Sequence, residues 1–295
     1  MSSALRLVAS LAVLVPLVAL TQAQETSKGQ PVELSPKVKA WGVLDAGATN
    51  SSYEKRAKAV EVLGLLKDDP EAEKMALTAL KDDRPEVRAA AAAALGDMGA
   101  KSAAPELYKM YHDSDIQVIM ASARSLLDLG DKRGYNVYYA ILTGETKTGT
   151  GLLAEQKKML KDPQKLAQFG FEQGIGFIPF AGLGWNAFKM IRRDDTSPIL
   201  AASALTLAND PDPKSGDALV EAAETNKSWI VRAAAMNALA KRGDPKLIKP
   251  AENALDDSKE EVQYCAAAAV IRLSDIAERA HKAPVRRSHT TKPHN

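Results

Sequence analysis

Small and apolar residues recur along the chain in a pattern that repeats roughly every 30 residues, as in helical repeat arrays, and one much longer interval interrupts it. In each repeat they occupy the third, fourth and seventh positions after a reference residue, and these positions share one face of an α-helix. The reference residues are Arg56, Arg88, Ile119, Leu200, Arg232 and Gln263. Because alanine dominates the shared face, the pattern predicts six helices that approach their neighbours closely.

Polar residues mark where these helices begin. Four repeats have Ser or Asp five residues before the reference position, with Glu or Gln three residues further on. This spacing is that of a capping box, in which the two side chains bond to amide groups of the first helical turn. The predicted pairs are Ser51–Glu54, Asp83–Glu86, Ser114–Gln117 and Ser258–Glu261.

Glycine and proline mark the other boundaries. Gly99, Gly130 and Gly243 lie eleven residues after their reference positions, where a glycine commonly ends a helix. The pairs Asp69–Pro70 and Asp244–Pro245 then have the residue types of a cap and a first helical position. Two helices per repeat predict an all-α fold, an α-solenoid of about six two-helix repeats.

The repeats fall into two sets of three, in residues 51–145 and 195–281. Residues 146–194 interrupt them with a helical segment and a stretch rich in glycine and aromatic residues. Residues 24–50 are predicted to be a linker with at most a short helix, because they contain Pro31, Pro36, Gly42 and Gly47. Residues 282–295 are basic and are predicted to be a disordered tail.

The aromatic stretch between Phe169 and Met190 contains all five phenylalanines of the chain. Its bulky side chains could fill a junction between the two sets of repeats, engage a protein partner, or contact a membrane surface. Its glycines and Pro179 make a stable membrane span a poor interpretation. The candidate partner-binding residues are Phe171, Phe177, Phe180, Trp185 and Phe188.

Residues 1–23 have the features of a secretory signal peptide. Leu7 to Leu20 are almost wholly apolar, and Thr21 and Ala23 are residues of the kind found at a cleavage site. The sequence therefore predicts cleavage near Ala23 and a secreted or periplasmic protein.

Charge and cysteine content exclude several functions. The formal net charge is only +2, and the last fourteen residues alone contribute +4, so the body offers no electrostatic basis for nucleic-acid binding. The single cysteine, Cys265, rules out an intrachain disulfide. Alanine occupies the equivalent position in four other repeats, so Cys265 is predicted to be a buried packing residue.

The residues needed for catalysis are scarce. Three of the four histidines lie in or beside the tail, and His112 is predicted to be an ordinary, partly exposed residue. The segment TGETKTGTG at residues 143–151 lacks the Gly-Lys-Ser/Thr ending of a phosphate-binding loop. The sequence therefore predicts no catalytic residues, no metal site and no cofactor.

Two segments carry a resemblance to a known family. DRPEVRAAAAAALGDMG at residues 83–99 and WIVRAAAMNALAKRGDP at residues 229–245 resemble HEAT-like repeats of the short kind named after phycobilisome lyases. The resemblance implies that arginines pair with acidic loop residues of adjacent repeats in a structural role. The residues placed for this role are Arg56, Arg88, Arg232, Asp82 and Asp83.

Together these features predict a non-catalytic scaffold that binds a protein partner. One alternative is a lyase-like protein that handles a cofactor or chromophore, as the resemblance implies. The other is an envelope protein that associates with a membrane surface through the aromatic stretch.

Overall fold

The computed structural model describes residues 34–137 and 197–282, and these residues form helices and turns without any strand. Short 3-10 turns continue or precede several of the helices. The helices of the first part are α1 (Pro36–Ala48), α2 (Tyr53–Glu61), α3 (Pro70–Ala79), α4 (Pro85–Asp97), α5 (Ala104–Lys109) and α6 (Ile116–Asp128). Those of the second part are α7 (Ser197–Leu207), α8 (Pro213–Thr225), α9 (Trp229–Arg242), α10 (Ile248–Asn253) and α11 (Glu260–Lys282). The predicted all-α fold is confirmed.

The first helices of the repeats pack side by side through their small residues. Ala59, Ala91, Ala235 and Ala266, all at the predicted buried position, are completely inaccessible to solvent. Ser203, the corresponding residue of α7, is exposed. The buried face predicted from the repeat pattern is therefore present in the inner repeats and weakest in α7.

The packing order of these helices differs from their order in the sequence. In the first half α2 packs against α4 and α4 against α6, and in the second half α7 packs against α9 and α9 against α11. The two halves meet because α11, the last helix, packs against α1 and α2. In space the order is therefore α7, α9, α11, α2, α4, α6, and the third and fourth repeats lie at opposite ends of the described stack.

The interpretation that the aromatic stretch fills a junction between the two sets of repeats stays a prediction. Among the described residues, the two halves meet at α11, α1 and α2. The stretch lies outside the described residues, as do the predicted signal peptide and residues 283–295.

Helix α1 lies within the segment that the sequence predicts to be a linker. Ser35 accepts a hydrogen bond from the amide of Val38, and Pro36 provides the first helical residue. Ala40 and Leu44 are fully buried. Helix α1 contacts both α11 and α2, just as α3 contacts both α2 and α4. It therefore serves as the second helix of the repeat that begins with α11.

Helix starts lie about one residue beyond the predicted capping boxes. The side chain of Ser52, not Ser51, accepts from the amide of Lys55. Before α4, Asp82 accepts from the amide of Arg84, and Pro85 is the first helical residue. In the loop before α4 an aspartate, Asp82, therefore takes the place of the predicted capping box, because its side chain bonds to the turn that precedes the helix.

The predicted helix ends are confirmed. Gly99, Gly130 and Gly243 have φ angles of +78°, +85° and +69°, in the left-handed region that glycine adopts without strain. Asp69 accepts hydrogen bonds from the amides of Glu71 and Ala72 and begins α3 as predicted.

Candidate binding surface

The arginines at the reference positions connect adjacent repeats. The Arg56 guanidinium bonds to Asp82 through two nitrogens, at 2.7 and 2.8 Å, and a further bond of 2.9 Å reaches Asp83. Its remaining nitrogen donates to the backbone carbonyls of Asn50 and Ser51. One side chain therefore fixes its own loop and the loop of the next repeat.

Arg88 repeats this arrangement. It bonds to both carboxylate oxygens of Asp113 at 2.7 and 2.8 Å, and it donates to the carbonyls of Asp82 and Asp83. Its partner in the next repeat is thus Asp113, a residue that the sequence pattern alone did not identify. The spacing from Arg88 to Asp113, which equals that from Arg232 to Asp257, was the available signal.

Arg232 has the same geometry in the second half. It bonds to Asp257 at 2.8 and 2.9 Å and to the carbonyls of Asn226 and Lys227. The structural role implied for Arg56, Arg88 and Arg232 is therefore present, and we call the three pairs with Asp82, Asp113 and Asp257 the arginine ladder.

Two of the ladder carboxylates, those of Asp82 and Asp257, are held in their charged form. Burial alone would raise the pKa of Asp82, but hydrogen bonds from Arg56 and from the amide of Arg84 lower it to about 2. The pKa of Asp257 is lowered in the same way: burial opposes the shift, and the bonds from Arg232 and the amide of Lys259 outweigh it. These charges stabilise the fold and are oriented toward their arginines.

Cys265 and His112 are among the described residues whose side chains could take part in chemistry. Cys265 is fully buried in α11, and burial raises the pKa of its thiol. A thiol in such a position is inert. His112 is exposed at the end of its 3-10 turn. Within residues 34–137 and 197–282 no group of three or more His, Cys, Asp or Glu side chains is arranged to hold a metal ion.

A groove runs along the outer side of α3. It has a volume of about 350 Å³ and is lined by Pro70, Glu73, Lys74, Leu77, Thr78 and Lys81. One helix supplies nearly the whole lining, so the groove is an open trough that cannot enclose a small molecule. Leu77 gives it an apolar centre, and charged side chains surround that centre.

The five candidate partner-binding residues, Phe171 to Phe188, lie outside the described residues, so their role stays a prediction. In the described part of the chain no helix is long and apolar enough to cross a membrane.

Comparison with known protein families identifies one match. A profile of HEAT repeats matches residues 43–128 and 187–283, which together make up more than half of the chain. Comparison with curated proteins gave no significant match.

Two solved structures are among those that match this chain. The first is the complex of CpcE and CpcF of phycocyanin lyase from Nostoc, with 19% identity over 87% of this chain and 98% of that one, and a TM-score of 0.32. The second is human deoxyhypusine hydroxylase in complex with glycerol, with 16% identity over 80% and 84% of the two chains and a TM-score of 0.29. At these TM-scores the similarity carries no functional argument.

Proposed function

The chain belongs to the HEAT-repeat family, and on that basis we propose that it is a non-catalytic scaffold that binds a protein partner outside the cytoplasm. Stacked helical repeats expose a long surface that no single repeat could form, and proteins built this way use it for binding. The arginine ladder supports this function, because the charged residues that recur in the repeats hold the stack together and are not arranged for chemistry.

The groove along α3 is the observation that carries the proposal furthest. Lys74 and Lys81 are exposed on its rim, Glu73 is half-buried, and Leu77 provides an apolar contact. An apolar centre with a polar, solvent-accessible rim is the general arrangement of a protein-binding surface. The aromatic residues Phe171 to Phe188 are a second candidate contact surface.

Affinity capture from an envelope extract tests the binding function. The bait is the mature chain, compared with a Lys74→Glu/Lys81→Glu variant that reverses charge on the groove. A matched control is Lys101→Glu/Lys109→Glu, which reverses two exposed lysines on and beside α5. We expect a specific protein that is captured by the wild type and the control and lost from the groove variant.

A variant with alanine at Phe171, Phe177, Phe180, Trp185 and Phe188 distinguishes the second surface. If it keeps the wild-type melting temperature but loses the partner, the aromatic residues form the contact. If it unfolds, they are packing residues. Retention of the same protein by every folded variant would reject both surfaces.

Fractionation tests the location. The full-length chain with a C-terminal tag should be recovered outside the cytoplasm with a mature N-terminus close to residue 24. An uncleaved chain in the cytoplasm would contradict this part of the proposal.

A further inference from the structure

The junction between the two halves has opposite charges on its two sides. Among the described residues, the ion pairs that cross it take their lysines from α1 and α2 and their carboxylates from α11 and the turn before it. Lys37 bonds to Asp275 at 2.5 Å and to Glu278 at 3.1 Å. The other pairs are Lys39–Asp256 at 2.9 Å, Lys55–Glu260 at 2.8 Å and Lys58–Glu261.

Close packing accompanies these ion pairs. A Cβ atom on Gly47 of α1 would lie 2.6 Å from Cε1 of Tyr264 in α11 and 2.7 Å from Cβ of Ala59 in α2. The three helices therefore meet at a point where only glycine fits. Arg272 of α11 donates to the carbonyl of Leu65 at 2.7 Å and to that of Ala240 at 2.9 Å, so it joins the first half to α9.

The described residues of the two halves meet at this junction through noncovalent contacts. The chain passes from one half to the other through residues 138–196, which follow α6 and precede α7. Neither face of the junction thus requires the other to belong to the same molecule. Two basic faces repel one another, as do two acidic faces, so the complement of each face is the opposite one.

We propose that the face formed by α1 and α2 is an autonomous docking surface for α11, and that it seats α11 of a second copy of this chain when the two copies exchange halves. The partner recognised by this surface is a helix with the acidic residues of α11 and Tyr264 opposite Gly47. This inference concerns assembly and is independent of the proposed scaffold function.

Two full-length charge-reversal variants test it. One carries Lys55→Glu and Lys58→Glu, and the other carries Glu260→Lys and Glu261→Lys. Each variant alone places like charges across its own junction. In a dimer that exchanges halves, one junction pairs the two substituted faces and the other pairs the two unsubstituted faces, so both again join opposite charges. A third variant that combines all four substitutions restores opposite charges within one chain and serves as the matched control.

We expect the two variants, co-expressed with different tags, to co-purify as a 1:1 complex with twice the mass of one chain. The four-substitution variant should remain a single chain with a melting temperature close to that of the wild type. Co-expression avoids the requirement that either variant fold alone.

The proposal is overturned if the co-expressed pair fails to associate while the four-substitution variant is folded. It is equally overturned if the four-substitution variant does not recover stability, because the charged residues would then not select the face. Co-purification of either variant with wild-type chain at the same yield would show that pairing ignores charge, and this too would contradict the proposal.

Discussion

Arginine and aspartate are matched between repeats that are neighbours in space. Arg56, Arg88 and Arg232 each face an aspartate of the repeat that follows in the stack. Where the preceding helix lacks arginine, the aspartate is absent too. Helix α9 packs next to α7, which has Leu200 at the reference position, and the loop before α9 has Asn226 in place of the aspartate. Likewise, α2 packs next to α11, which has Gln263 at this position, and the loop before α2 has Asn50. The residue types at the reference position and at the aspartate position therefore indicate which repeats are neighbours in space.

Replacing a ladder arginine should destabilise the protein far more than replacing its neighbour. Arg88→Met leaves the carboxylate of Asp113, whose side chain is 8% exposed, without its counter-ion. We expect a loss of about 3 kcal/mol in unfolding free energy. Arg84→Met removes an ion pair with Glu86 and a cation–π contact with Tyr53 at the protein surface, and should cost only about 1 kcal/mol because solvent screens such contacts. Urea unfolding of both variants measures the difference, and equal losses would contradict a structural role specific to the ladder.

The ladder also predicts acid sensitivity. The pKa of Asp82 is about 2 in the folded protein, below the value of about 3.9 for an unfolded chain. Its charged form therefore contributes stability above pH about 4, and this contribution is lost as pH falls from about 4 to about 2. Unfolding free energy measured across this range should fall less steeply for Asp82→Asn than for the wild type. Asp217→Asn, at an exposed position of α8, is the control and should keep the wild-type slope.

At the level of the helix, α1 offers two glycines with opposite surroundings. Gly47→Ala places a methyl group against Tyr264 and Ala59, and overpacking of this kind costs about 1 to 3 kcal/mol. Gly42 is exposed, and a Cβ atom added to it would have no atom within 4 Å. Gly42→Ala should therefore stabilise the helix by about 0.5 to 1 kcal/mol. Thermal melts should move in opposite directions, and a rise in both would show that α1 is not held at the junction.

The helices of the repeats could be predicted because each bears its own local signals. Alanine periodicity marks the buried faces, and Gly99, Gly130 and Gly243 mark helix ends. The same local reasoning placed the helix starts one residue early, because a Ser or Asp near a start can cap the helix or the turn before it. Helix α1 is longer than the short helix that the sequence allows within the predicted linker, because its glycines indicate a linker unless the close approach of Tyr264 to Gly47 is known. That contact joins residues more than 200 positions apart.

The order of the repeats in space is a property of the whole molecule that periodicity does not encode. The same positions recur in every repeat, so the sequence pattern permits α7 to follow α6 directly. The junction residues decide otherwise: Gly47, the lysines of α1 and α2, and the acidic residues of α11 make the two described ends of the chain adjacent. Helix α11, the last described helix, therefore packs against α1, the first described helix.

Hydrogen exchange can test this order directly, because a defect in a repeat array weakens mainly the repeats that it touches. Leu126 of α6 and Leu239 of α9 are both fully buried, and truncation to alanine costs about 2 to 5 kcal/mol at such sites. Leu126→Ala should reduce amide protection in α6 and α4 and leave α7 unchanged, although α7 is the next described helix along the chain. Leu239→Ala should reduce protection in α7 and α11, its neighbours on either side. If Leu126→Ala lowered protection in α7 as strongly as in α4, the two halves would be stacked in the order of the sequence, and the junction of α11 with α1 and α2 would be wrong.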